Sequence, residues 1–200
     1  MTRMRAKPVG PMAGRPWTYA CTAAAAAAIA AAATSLAVAP ETQRITGAGL
    51  ALLMAAIAAT DARYFVIPDT LNIAALALAL VEVGIHQEIA AEVIGLAIIR
   101  GVVLSLLFLG LRLAYRRLRN RDGIGLGDVK LAGAAGAWLS WQAIPIAIEI
   151  AALAALGAYT IHRYACGRAL RAGSRLPFGL FFAPAIWLTW FLEATQVAPF

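Results

Sequence analysis

Seven apolar stretches follow one another along the chain, at about 17–39, 46–60, 68–84, 91–114, 127–138, 143–164 and 177–193, each closed by charge, proline or glycine. A bilayer core of ~30 Å takes roughly 20 apolar residues per crossing helix, so the longer stretches have spanning length. With 62% of its 200 residues hydrophobic and 14% charged, a soluble domain of this size cannot hide the apolar surface. The expected fold is an all-α integral membrane protein, a polytopic bundle of about seven transmembrane helices, with six as the alternative. The fifth stretch is short, which points to a thinned or irregular bilayer beside it. A basic tail over 1–16, a membrane domain over 17–194 and a short tail over 195–200 complete the organisation. The Ala-rich stretch behind Arg3, Arg5, Lys7 and Arg15 exceeds the apolar core of a cleavable signal and reads as an uncleaved first helix.

Positive charge tests this scheme, because Lys and Arg collect in cytoplasmic loops. Of the 17 Lys and Arg residues, 15 fall on one side of the seven-span arrangement, and only Arg44 and Arg100 fall toward the other. The N-terminus is therefore expected in the cytoplasm and the C-terminus outside; six spans break the alternation. The basic run 115–122 is read as a loop in water, and Trp138 and Trp141 as an outer aromatic belt. The net charge of +7 thus belongs to loops beside anionic lipid, and nucleic acid is not an expected partner.

Two polar constellations fall on that same basic face. The first is Asp61-Ala-Arg-Tyr-Phe-Val-Ile67-Pro68-Asp69-Thr-Leu-Asn72, an acid ending one span and a Pro-Asp opening the next. Taken alone it has a structural reading: Asp61 is a solvated helix end, and Asp69 or Thr70 an N-cap behind Pro68. The second is Gly123-Ile-Gly125-Leu-Gly127-Asp128-Val-Lys130, whose structural reading is a glycine-rich turn with Asp128 as N-cap. Its spacing does not match a phosphate-binding loop. Taken together, the two place Asp61 and Asp128 at helix ends on one membrane face. Two close carboxylates cannot both ionise, so one can take a proton from a shared water while the other donates to a carbonyl oxygen. Paired acids near a membrane face also suit a small transporter or a proton or cation relay. A third motif, Pro177-Phe178-Gly179, opens the last span; it reads either as a kinked helix entrance or as the wall of a cleft for an extended peptide.

In this order, Asp61 with Ile67-Pro68-Asp69, Gly125-Leu-Gly127-Asp128-Val-Lys130 and Pro177-Phe178-Gly179 resemble the prepilin peptidases, the type IV leader peptidase family of Gly-x-Gly-Asp aspartyl proteases. The similarity covers about 46–194. It implies cleavage of the basic leader from prepilin or pilin-like precursors at the cytoplasmic face of the bacterial inner membrane, with Asp61 and Asp128 as the catalytic pair. Pro68, Asp69, Asn72, Gly125, Gly127, Lys130, Pro177, Phe178 and Gly179 would line or support the cleft, expected between the second, third and fifth spans. No cofactor and no metal are implied. The cytosolic insert with paired C-x-x-C motifs that accompanies methyl transfer in longer members is not seen here, so no methyltransferase activity is expected. Presenilin-like proteases share Gly-x-Gly-Asp but carry a Pro-Ala-Leu motif that this sequence lacks.

The remaining polar residues carry less. Cys21 and Cys166 read as apolar fillers, and His86 and His162 fall near opposite faces, too far apart to share a metal. Lys130 lies two positions from Asp128, a spacing that does not face it on a helix, and reads as an interfacial snorkelling lysine. Arg100 and Glu149 lie inside apolar spans, where an isolated charge is costly, so an Arg100–Glu149 contact is expected, with Glu82 competing. Gly133, Gly136 and Ala137 suit close helix packing.

Overall fold

The computed structural model describes residues 15–86, 90–119, 123–166 and 177–197. Seven α-helices and no strand occur among them: α1 (Arg15–Val38), α2 (Arg44–Tyr64), α3 (Asp69–His86), α4 (Ala90–Arg119), α5 (Leu126–Trp138), α6 (Ala143–Cys166) and α7 (Gly179–Ala194), with a 3-10 turn over Glu41–Gln43. Each expected span has its helix, and the polytopic all-α bundle stands. Among the described residues, Glu41–Tyr64, Ala91–Arg119 and Ala143–Ile161 are long and apolar enough to cross a membrane by length and composition. The basic residues before Arg15, the connection 167–176 and the side chains of Cys21, His86, His162 and Cys166 lie outside the described residues.

Two boundaries differ from the sequence reading, each for a physical reason. The basic run 115–119 is helical, because α4 continues through it to Arg119. Arg and Leu are good helix formers, and Arg116, Arg117 and Arg119 in the last turn complement the negative end of the helix dipole, so polarity marked the water but not the end of the helix. Likewise α2 does not stop at Asp61 but runs one turn further, to Tyr64. It ends where Phe65 adopts a left-handed conformation (φ 53°, ψ 33°) and donates its N–H to Asp61 O at 2.9 Å. That cap is usually glycine's, and an aromatic residue there carries a local backbone cost on the order of 1 kcal/mol.

The layers follow from which faces are apolar all round. Helix α2 packs on α1, α3 and α7, while α5 packs on α3, α4 and α7. Helices α4 and α6 lie outside, with Leu106, Leu107, Leu113, Leu153 and Leu156 exposed toward the position of lipid. Helix α5 has 13 residues and is roughly 20 Å long at 1.5 Å per residue, shorter than the ~30 Å apolar core. Nine of those residues are buried, so neighbouring helices rather than lipid cover it. Trp138 ends α5 inside this core and not in an outer belt, since it is buried and its indole N–H donates to Ala75 O at 2.9 Å. Its N–H has a protein partner, which removes the reason for a tryptophan to sit at the interface. Trp141 is about half exposed, as an interfacial residue would be.

The seam between α4 and α5 is a backbone contact. A Cβ on Gly101 would lie 2.8 Å from Gly133 O, and one on Gly136 would lie 2.6 Å from Arg100 O. Small residues let two helices approach this closely, and the atoms opposed are carbonyls that cannot rotate away. Gly136→Ala should therefore lower stability by about 1–3 kcal/mol through overpacking. Gly157, whose added Cβ meets nothing within 4 Å, is the control. In thermal unfolding of the reconstituted protein, Gly157→Ala should be neutral or stabilising and Gly136→Ala should not.

Candidate active site

One end of the bundle gathers the last turn of α2 and the first turns of α3, α5 and α7. Asp61, in that last turn of α2, is only 6% exposed, and its Oδ2 accepts the backbone N–H of Leu180 at 3.0 Å. The Gly179 N–H bears on the same carboxylate. The first N–H groups of any helix lack an intrahelical acceptor, so a side chain from α2 caps α7 across the bundle. Glycine at 179 makes this possible, because a Cβ there would lie 2.9 Å from Asp61 Oδ2 and 2.7 Å from Ile67 Cδ1.

Asp128 is built from within its own helix. It is the third residue of α5 and folds back so that Oδ2 accepts the Gly125 N–H at 3.1 Å. Gly125, not Asp128, therefore holds the N-cap position expected for the aspartate. Asp128 is 9% exposed, and Asp61 lies close enough for its charge to act on it. Arg112 acts on Asp128 with the opposite sign, and its Nη1 donates to Ile124 O at 2.7 Å. One turn further along α4, the Tyr115 ring fills the space where a Cβ of Gly123 would be. Arg112 and Tyr115 thus hold the glycine turn from one face of α4.

Ile67 joins the two halves. Its side chain lies against Gly127, where an added Cβ would stand 3.0 Å from Ile67 Cβ, and against Gly179 on α7. The buried isoleucine therefore sits between the glycine before Asp128 and the glycine that presents α7 to Asp61.

The other predicted residues form a rim or a support. Pro68 provides the carbonyl that accepts the Leu71 and Asn72 N–H groups, at 3.1 and 3.3 Å, and so occupies the capping place expected for Asp69 or Thr70. The Asp69 carboxylate is turned instead to Lys130, 2.6 Å away, in a pair with both side chains at least half exposed. Such a pair is worth ~0–1 kcal/mol. Asn72, one turn into α3, is buried, and neither polar atom of its amide has a hydrogen-bond partner. Pro177 is half-buried, and Phe178 stacks on Phe182 and tilts against Phe108, with ring centroids 5.3 and 6.4 Å apart. Both carboxylates of the expected cleft are buried, and α7, which the expectation did not include, packs beside Asp61. Arg100 does not meet Glu149, which is exposed; its Nε donates to Gly136 O at 3.1 Å and the charge acting on it is that of Glu193. Among the described residues, no cluster of three or more His, Cys, Asp or Glu side chains is arranged to hold a metal.

Comparison with known proteins decides what this geometry belongs to. The model of the type IV leader peptidase family matches residues 48–160, more than half of the chain and both aspartates. The chain belongs to this family. Over 90 residues it is 43% identical to the prepilin leader peptidase/N-methyltransferase of Burkholderia pseudomallei, a match covering 44% of this chain and 28% of that protein. It is 35% identical over 95 residues to the prepilin leader peptidase/N-methyltransferase of Aeromonas hydrophila, covering 48% and 32%. It is 34% identical over 85 residues to leader peptidase HopD of Salmonella typhimurium, covering 42% and 52%. The chain thus spans about a third to a half of the length of these relatives. No solved structure matches it. The family match ends before Pro177, yet α7 supplies the donors to Asp61.

Sequence reasoning missed Ile67 as a packing residue, Arg112, Tyr115 and the Leu180 N–H. Backbone donors leave no trace in residue type, and Ile67 looks like any apolar residue; only the glycines facing it were a signal. At the start of a helix, Gly179→Ala alone should be favoured by propensity by up to about 1 kcal/mol. Here it should instead cost about 1–3 kcal/mol, and Ile67→Val, which removes Cδ1, should recover part of the loss. A double-mutant cycle on thermal stability that proved additive would separate the two side chains.

Proposed function

We propose that this family member is a membrane-embedded aspartyl endopeptidase that removes the basic leader from prepilin or pilin-like precursors. The observation that carries the proposal is the convergence of Asp61 and Asp128, both buried where α5 and α7 begin and joined through Ile67, which packs on Gly127 and on Gly179. Relatives named as prepilin leader peptidases support the substrate class. The 15 of 17 cationic residues on one side support a cytoplasmic N-terminus and a site facing the cytoplasm of a bacterial inner membrane.

In this reading a water molecule lies between the carboxylates. The ionised one takes its proton as the oxygen attacks the scissile carbonyl, and the protonated one donates to the carbonyl oxygen. Two carboxylates at short range hold one proton between them more readily than none, which keeps both forms present together. The helix N-termini of α5 and α7 stabilise negative charge as it develops. Asn72, buried with an unpartnered amide, offers a donor and an acceptor to a peptide backbone entering beside α3. Pro68, Gly125, Gly127, Pro177, Phe178 and Gly179 shape the walls, and Asp69 with Lys130 marks the rim.

Cleavage of a prepilin by the protein reconstituted in lipid tests this. Asp61→Asn and Asp128→Asn should each lower the rate by 10²-fold or more, as expected for loss of a general acid or base. Asp69→Asn should stay within about threefold of wild type, because its exposed pair with Lys130 holds little energy. Full activity in either of the first two variants removes the pair assignment, and absence of cleavage by wild type across several prepilins favours a relay or transport role.

A further inference from the structure

At the end of the bundle away from the two aspartates, a cavity of about 440 Å³ opens between the α1–α2 connection, α4 and the ends of α5 and α7. Gln43, Arg100, Trp138, Ser140, Trp190 and Glu193 line it. A second cavity of about 140 Å³ shares Gln43, Trp138 and Trp190 and reaches the buried Glu82 of α3. The aromatic wall is fixed: Trp138 and Trp190 meet edge to face at 5.9 Å, and the Trp190 ring occupies the space a Cβ of Gly47 would need.

The polar groups here do not satisfy one another. Arg100 spends its Nε on Gly136 O, and the charge of Glu193 acts on it, yet no ion pair closes between them among the described residues. Among the described residues, the Glu193 carboxylate has only a long contact, 3.5 Å, from the Ser140 N–H. Gln43 Oε1 is buried with no hydrogen-bond partner. A cation and an anion that line one cavity without closing an ion pair each lack a full partner, and a ligand of one sign would leave the other uncompensated. A zwitterion compensates both.

We propose that this cavity binds a phosphoethanolamine-type zwitterion, with its anionic group on the Arg100 guanidinium. Its primary ammonium takes Glu193 and Gln43 Oε1 as acceptors, and the Trp138 and Trp190 rings provide a cation-attracting wall. A primary ammonium brings three N–H donors to these two acceptor groups, whereas a quaternary choline brings none. The volume lies within the range of small-ligand pockets. The same chemistry occurs in an ethanolamine phospholipid of the surrounding leaflet and in free O-phosphoethanolamine.

The test uses the full chain. Nanodiscs containing equal parts of ethanolamine, choline and glycerol phospholipids are followed by mass spectrometry of lipid retained on the released protein. Wild type should retain the ethanolamine lipid at least fivefold over choline, and Glu193→Gln and Arg100→Gln should each bring that ratio below twofold. In parallel, millimolar O-phosphoethanolamine is added to protein in choline and glycerol lipid, and thermal unfolding is recorded. A rise in Tm that Glu193→Gln abolishes, with no lipid preference, assigns the site to the free zwitterion; lipid preference assigns it to the leaflet. Equal retention of the two lipids together with an unmoved Tm overturns the proposal, as does a full preference in folded Glu193→Gln. If Arg100→Gln does not fold, Glu193→Gln, at a half-exposed position one residue from the end of α7, still decides. Prepilin cleavage plays no part in the readout, so failure here and failure of the peptidase reading are distinct.

Discussion

A carboxylate from one helix sits on the open amides of another: Asp61 of α2 on the Leu180 N–H at the start of α7. In a low-dielectric interior those amides need an acceptor, and an acid buried there needs donors. Each requirement answers the other, and the missing Cβ of Gly179 allows the approach. The burial of Asp61 and the seat of Ile67 between two glycines meet at this one contact, while the body of α7 packs on α2, α5 and α6. Asp61 therefore has a structural role of its own, and in the proposed peptidase its carboxylate would be shared between α7 and the chemistry.

Asp128 reaches the same end by a different route. Its carboxylate is fastened to the turn that precedes it, and that turn is fastened to α4 through Arg112 on Ile124 O and Tyr115 beneath Gly123. One aspartate is thus held by a distant helix and the other by local chain and its neighbour. Two helix N-termini pointing at the same small volume make it favourable for negative charge, which offsets the repulsion between two acids.

Much of this architecture was legible in the sequence, because the length of an apolar run and the charge at its end are strong physical signals. The helices fall within a few residues of the hydropathy boundaries, and Asp61 and Asp128 come to one end of the bundle as the charge pattern implies. What failed had no one-dimensional signature. Glu193 rather than Glu149 acts on Arg100 because rotation about a helix axis decides which way an acid points, and hydropathy averages over rotation. Trp138 looked interfacial by position, but its indole found a carbonyl on α3. The run 115–119 was polar and yet helical, since water and helix are compatible. The role of α7 was half legible: Pro177-Phe178-Gly179 flagged the place, while the amides that matter belong to the backbone.

The glycine seam between α4 and α5 sets the mechanics of the bundle. Helices touching backbone to backbone at Gly101 and Gly136 leave little side-chain layer to shear, which couples α4 tightly to the helix that carries Asp128. The entrance to α7, by contrast, rests on side chains: the Asp61 carboxylate, Ile67 and the Phe108 ring of α4, on which Phe182 stacks. In the proposed peptidase, a backbone-locked α5 and an α7 entrance seated on side chains put the give for an entering peptide on the α7 side.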